Sequence, residues 1–141
     1  MKQPTNNHLQ LELHVPDFGP VKDYYGKLGF KIIRDDPVGG TNGYLVMDLK
    51  GTQIRFWPGT DSVYSQPYFK KFPKDTPRGY GVELAIKIDD INAYYKKVKD
   101  FANVVEPLKL KPWGRKDFRC LDPFGFYLRF SGPHQAEEGN T

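Results

Sequence analysis

An internal repeat is the feature that most restricts what this chain can fold into. The segment Met47-Asp48-Leu49-Lys50-Gly51-Thr52-Gln53-Ile54-Arg55-Phe56 returns 74 residues later as Leu121-Asp122-Pro123-Phe124-Gly125-Phe126-Tyr127-Leu128-Arg129-Phe130. A hydrophobe, an Asp, a turn Gly, an aliphatic residue, an Arg and a Phe fall in register in both copies. Upstream, Leu11-Glu12-Leu13-His14-Val15-Pro16-Asp17 is echoed by Leu84-Ala85-Ile86-Lys87-Ile88-Asp89-Asp90 at an offset of 73, and each copy runs on to a Tyr pair, Tyr24-Tyr25 and Tyr94-Tyr95. Two copies of this length do not make a solenoid, whose shorter units must stack at least three deep. They point to two similar half-domains, with the residues worth comparing at repeat-equivalent positions.

Periodicity orders the elements within each half. Residues 9–15 alternate, with Leu9, Leu11, Leu13 and Val15 on one side and Gln10, Glu12 and His14 on the other, the pattern of a half-buried strand. Pro20 suits the first turn of a helix that runs to about Leu28 and stops at Gly29. Phe30 to Arg34 reads as a second strand and Pro37-Val38-Gly39-Gly40 as a loop. Tyr44–Leu49 and Gln53–Trp57 form a hairpin turning at Lys50-Gly51. The second half repeats the order. Val82–Ile88 is a strand with Glu83, Ala85 and Lys87 on its polar side. Asp90 caps a helix through about Val98, and Val104-Val105 opens a further strand. After the loop Pro112-Trp113-Gly114, a hairpin formed by Asp117–Leu121 and Phe126–Phe130 turns around Gly125.

Between the halves, residues 58–80 form a linker with Tyr64, Tyr68, Phe69 and Phe72, of a length that is usually functional or bridges two halves. Its aromatics are expected either to lie as a lid over a site or to pack on a second subunit. The boundaries that follow are a flexible N-terminus at 1–8, a single domain at 9–131 and a flexible polar tail at 132–141. Within the domain, module one spans about 9–57 and module two about 81–131.

Composition narrows the partners. At 141 residues the chain can bury a core of its own. A formal charge of +4 and a pI near 9.1 come from basic residues scattered along the sequence, a pattern of solvated faces. No nucleic-acid-binding motif accompanies them. No apolar run reaches membrane-spanning length, and residues 1–7 lack the apolar stretch of a signal peptide. The single cysteine, Cys120, permits no intrachain disulfide and fits a reducing, cytoplasmic setting. Nucleic acid and membrane are therefore not expected partners.

Two segments carry a resemblance. Val15-Pro16-Asp17 leads to Tyr24-Tyr25-Gly26-Lys27-Leu28-Gly29-Phe30, and Trp113-Gly114-Arg115-Lys116-Asp117-Phe118 leads to Asp122-Pro123-Phe124-Gly125. Over about residues 9–131 the chain resembles the vicinal oxygen chelate superfamily, also called the glyoxalase/bleomycin resistance/dioxygenase fold. It departs from the family pattern at Phe126, where Asn is usual. The resemblance implies an α+β protein of two βαβββ modules, with a curved mixed sheet forming a half-barrel cleft, and a homodimer.

Family enzymes hold a divalent metal with a side chain from the first and last strand of each module. Carried over, the first-strand positions are Gln10 and Glu83 and the last-strand positions are Arg55 and Arg129. Arginine stays protonated and is not a metal ligand, so no metal and no cofactor are expected. Two readings of the arginines stay open: an internal ion-pair network with Glu83 and Glu12, or a bidentate fork for the carboxylate or phosphate of a ligand. Around them, His14, Trp57, Trp113 and Tyr127 complete the candidate ligand-binding set of Gln10, Glu12, Arg55, Glu83 and Arg129. No catalytic residue is assigned, and His14 as a base is the weaker alternative to a structural role.

Members without metal ligands resemble bleomycin-resistance proteins, which sequester a drug unchanged. The expectation is a metal-independent protein that binds an antibiotic-like small molecule. With these arginines the ligand should be anionic or aromatic rather than cationic. The alternative is a glyoxalase-like, metal-dependent lyase or isomerase, or a dioxygenase.

Overall fold

The computed structural model describes residues 9–39, 42–73 and 75–134; the expected flexible N-terminus at 1–8, and residues 135–141 of the expected flexible tail at 132–141, lie outside the described residues. The chain divides into two compact units that part between residues 74 and 75, inside the expected 58–80 linker. Each unit is one copy of the repeat, and each holds one four-stranded mixed sheet.

In the first unit, β1 (Glu12–Val15), β2 (Lys31–Gly39), β3 (Asn42–Leu49) and β4 (Thr52–Pro58) pair in the order β1-β4-β3-β2. The β1–β4 pair is parallel and the other two are antiparallel. Helix α1 (Phe18–Lys27) starts at Asp17, whose side chain accepts from the Gly19 amide, and ends where Gly29 adopts φ +104°. A left-handed residue there costs glycine little. The helix lays Val21 and Tyr25, both fully buried, on one face of the sheet, with the Tyr25 ring 5.3 Å from Phe56. The β3–β4 turn falls at Lys50 and Gly51, at φ +48° and +94°, the left-handed pair that a tight hairpin requires. A short helix, α2 (Asp61–Tyr64), and a single 3-10 turn (Phe69–Lys71) follow β4.

The second unit repeats this plan with β5 (Glu83–Lys87), α3 (Ile91–Val98), β6 (Val104–Leu110), β7 (Arg115–Leu121) and β8 (Tyr127–His134), paired in the order β5-β8-β7-β6. Asp90 caps α3, accepting from the Ala93 amide at 3.2 Å. Tyr94 and Tyr95 pack on Phe130 and Phe118, with ring centroids 5.2 and 4.8 Å apart. Cys120 is fully buried among them.

Several boundaries differ from the sequence reading. The first strand starts at Glu12 rather than residue 9: Leu9 is 80% exposed and Gln10 stands outside β1. Alternation continued upstream of the point where the chain leaves β4, just after the Leu11 carbonyl accepts from the Arg55 amide at 3.1 Å. Strand β2 runs on through Pro37, Val38 and Gly39, which had read as a loop. As the edge strand it pairs only with β3, so a missing N–H at Pro37 is tolerated. Strand β8 extends to His134, three residues past the expected domain end, and buries Ser131 and Gly132. A Cβ on Gly132 would come within 2.6 Å of Ile91 Cγ2, so α3 rests directly on that glycine.

Candidate functional site

Strand alternation puts the apolar side chains of each sheet under its helix and a polar set on the face opposite. In the first unit that polar face carries Glu12 and His14 from β1, Gln53, Arg55 and Trp57 from β4, and Tyr44 from β3. The parallel register sets Glu12 beside Arg55 and His14 beside Trp57. The Tyr44 hydroxyl donates to Glu12 Oε2 at 2.5 Å, and Arg55 Nη2 donates to Gln53 Oε1 at 2.9 Å. Burial, with the hydrogen bond to Glu12, raises the Tyr44 hydroxyl above the ordinary phenol value. The Arg34 guanidinium lies 4.9 Å above the Tyr44 ring and pairs with Asp36 at 2.7 Å.

Beyond this polar cluster, His14 sits in an aromatic box. Its ring centroid is 4.6 Å from Trp57, 4.8 Å from a stacked Phe69 and 5.3 Å from an edge-on Tyr64. The residues just after β4 thus fold back over the face that their own unit presents. Gly59 allows this approach, since a Cβ there would lie 2.6 Å from the Tyr64 hydroxyl. The linker aromatics Tyr64 and Phe69 therefore pack on His14 and Trp57 of the same unit. Trp57 is a wall of this box.

In the second unit the equivalent face is organised by a residue that the sequence reading did not single out. Arg119 of β7 donates from Nε to Glu83 Oε2 at 2.7 Å and from Nη1 to Glu106 Oε1 at 2.7 Å. Lys111 donates to the same Glu106 oxygen at 2.8 Å. These two hydrogen bonds hold the Glu106 carboxyl below its ordinary pKa, and Glu83, ahead of Glu106, raises that of Arg119. Asp117 is fully buried beneath them, with Oδ1 3.8 Å from Lys111 and 3.9 Å from Arg119. Neither of its oxygens accepts a hydrogen bond among the described residues.

Arg129 of β8 is paired across the strands with Arg119. Its Nε stands 3.8 Å from Glu83 Oε2, an ion-pair distance beyond hydrogen bonding, and this buried atom has no hydrogen-bond partner among the described residues. At the neighbouring end of the sheet, residues 77–82 pass close over the β7–β8 turn. A Cβ at Gly79, which has φ +80°, would meet the Gly125 carbonyl at 2.9 Å. There they bound a cavity of about 410 Å³ whose lining includes Arg78, Tyr80, Val82, Glu83, Leu121 and Tyr127.

The structure thus brings the candidates together as two sets within their own units: Glu12, His14, Arg55 and Trp57 in one, Glu83, Tyr127 and Arg129 in the other. Two candidates fall outside these sets. Gln10 is exposed ahead of β1. Trp113 sits in the β6–β7 turn at the His134 end of β8, opposite the Tyr127 end, and is 48% exposed. The expected network of both arginines with Glu83 is also revised. Arg119 makes the short contact to Glu83, Arg129 the long one, and Arg55 is held by Gln53 in its own sheet. Arg119 was detectable from sequence, since Asp117, Arg119 and Leu121 alternate with Phe118 and Cys120.

The residues at the four positions tied to a metal do not fit one. Two are guanidinium groups, one is a Gln off the strand, and the fourth is a carboxylate already held by Arg119. Among the described residues no group of three or more His, Cys, Asp or Glu is placed to hold a cation.

Comparison with known proteins bears on the fold. The chain is similar to TioX from Micromonospora sp. ML1, with 21% identity over 90% of this chain and 98% of that one and a TM-score of 0.65. A bleomycin-binding protein solved in complex with bleomycin aligns with a TM-score of 0.63 and 18% identity, covering 92% of this chain and all of the other. A bleomycin resistance determinant encoded on the transposon Tn5 gives 0.62 and 18%, covering 90% and 98%. No curated protein sequence matches. The pattern of the Glyoxalase/Bleomycin resistance protein/Dioxygenase superfamily matches residues 7–130. On that match, with two repeated modules each forming a four-stranded mixed sheet, the chain belongs to the glyoxalase/bleomycin resistance protein/dioxygenase superfamily.

Proposed function

We propose that this protein binds a small organic molecule without a metal and holds it chemically unchanged, as bleomycin-binding relatives hold their drug. The observation that carries this reading is the replacement of metal-ligating side chains by Arg55 and Arg129 at repeat-equivalent strand positions. A guanidinium keeps its proton and places positive charge where a cation would have to sit. The same residues favour the ligand's chemistry. Arginine forks recognise carboxylates, and Tyr127 beside Arg129 offers an aromatic surface. An antibiotic-like molecule that is anionic or aromatic fits this arrangement better than a cationic one.

A homodimer in a cytoplasmic setting is part of the proposal. Its support is the exposed Ile32, Ile33 and Val38 on the edge strand β2, together with the single buried thiol of Cys120. Elemental analysis combined with a thermal-shift screen tests the function. We expect no stoichiometric divalent metal, and stabilisation by aromatic carboxylates but not by cationic glycopeptides. About one zinc, iron, nickel or manganese per chain, with a metal-dependent rise in melting temperature, would overturn it in favour of a metal-dependent lyase, isomerase or dioxygenase.

A further inference from the structure

We propose that Arg129 is the anchor for the carboxylate of a single-ring aromatic acid whose ring enters the cavity at the Tyr127 end of β8, and that Arg119 is the positioning residue that keeps Glu83 from occupying that anchor. The inference rests on the small-molecule-binding reading above and names the ligand class and the residue that receives it.

The two repeat-equivalent arginines differ in what surrounds them. Arg55 donates to Gln53 and lies beside Glu12 and Tyr44. Among the described residues, Arg129 has one acid within ion-pair distance, Glu83, at 3.8 Å. The same oxygen of Glu83 is held at 2.7 Å by Arg119 Nε. The difference lies at three positions: Gln53 and Glu12 beside Arg55 are Tyr127 and Ala85 beside Arg129, and Arg129 faces Arg119 across β7 whereas Arg55 faces Val46 across β3. Arg119 therefore draws the carboxylate away and leaves a buried Arg129 Nε without a hydrogen-bond partner among the described residues. A buried donor left unmatched is costly, and a charged one more so. A ligand carboxylate would satisfy it with the bidentate geometry that guanidinium favours.

The surroundings set the rest of the ligand. Tyr127 and Arg129 are two residues apart on one strand face, roughly 7 Å along β8, about the span from a carboxylate to the far edge of its ring. Tyr127 and Glu83 line the 410 Å³ cavity, along with Tyr80 and Val82. That volume is at the small end for ligand sites and is ample for one ring, which needs roughly 150 Å³. Glu83, Glu106 and Asp117 balance Arg119, Lys111 and Arg129, so this cluster presents no net negative charge to repel an incoming carboxylate.

Calorimetric titration with benzoate and salicylate, against benzamide and benzyl alcohol as neutral isosteres, tests this. Benzoate should bind, and the neutral isosteres should bind at least tenfold more weakly. Both Arg129→Gln and Arg129→Lys should weaken benzoate at least tenfold, the Lys variant because it keeps the charge but loses the fork. Arg119→Met should weaken it comparably by releasing Glu83 onto Arg129. Adding Glu83→Gln to Arg119→Met should restore affinity to within about threefold of the unmutated protein, a rescue that general loosening would not give. Should Arg119→Met fail to fold, Glu83→Gln alone must still bind benzoate at least as tightly as the original. Benzoate binding indifferent to Arg129, or no rescue in a folded double variant, overturns the anchor assignment. Failure of every anionic, neutral and cationic aromatic to bind overturns the small-molecule reading as well.

Discussion

Replacing Arg119 by Met removes the guanidinium while keeping an unbranched side chain of similar reach, and its cost can be worked from the geometry. Arg119 has 14% of its side chain exposed and makes a 2.7 Å charged hydrogen bond to Glu83, itself 32% exposed. A charged hydrogen bond contributes about 1.5–3 kcal/mol, and stripping one partner from a fully buried pair costs about 3–5 kcal/mol. Glu83 can partly rehydrate, so its share belongs near the lower figure. Asp117 is fully buried and cannot rehydrate; without Arg119 its remaining cation is Lys111 at 3.8 Å. Together these place the loss at about 3 kcal/mol, or roughly 10 °C in melting temperature for a chain of this size. Urea denaturation with parallel thermal melts measures it. In the Arg119→Met background, Glu83→Gln should cost less than it does alone, because only the contact with Arg129 is left to lose. A loss below about 1 kcal/mol, the range of exposed ion pairs, would show that the cluster is solvated and that Arg119 organises nothing.

Gly132→Ala should destabilise by about 1–3 kcal/mol, since the added methyl overlaps Ile91 at 2.6 Å and must push α3 away from β8; a melting temperature unchanged from the original would refute the packing. The pKa of Glu106 is lowered in the fold by Lys111 and Arg119, so its stabilising contribution is present above the ordinary value of 4.5 and is lost as pH falls through the lowered one. Stability curves of the original and Glu106→Gln should therefore stand furthest apart above the ordinary value of 4.5 and draw together as pH falls below it, and curves parallel across that range would refute the assignment. Phe69→Ala should open the aromatic box around His14 and Trp57 and quench or red-shift tryptophan emission, read by fluorescence. Light scattering should give twice the 16.3 kDa of one chain, and a monomer at micromolar concentration would rule out the homodimer.

Much of the fold was legible because local rules decided it. The two-copy repeat gave the paired modules. Lys50-Gly51 marked a hairpin, Gly29 a helix stop and Asp90 a helix cap, each for reasons confined to a few backbone angles or one side-chain hydrogen bond. Alternation in β5 correctly separated Leu84 and Ile86 from Glu83, Ala85 and Lys87. Errors arose where a neighbouring strand decided the outcome. Gln10 continued the alternation but had left the ladder, and Pro37 broke the pattern but sat on an edge where its missing donor is not needed. Gly132 looked like tail because nothing in its own neighbourhood reveals that Ile91 rests on it.

The repeat determined that Arg55 and Arg129 occupy equivalent positions on the polar faces of their sheets, and the chemistry of arginine determined that they are poor metal ligands. Which of them is held and which keeps a donor unmatched was decided by tertiary structure. Val46 and Arg119 stand at the same place in the two ladders, and only the register of β3 against β4 and of β7 against β8 sets each beside its arginine. Sequence period reports which face a side chain takes. The strength of a charged contact depends on separations of an ångström, here 2.7 Å against 3.8 Å on one carboxylate oxygen, and those are fixed only when three strands lie side by side.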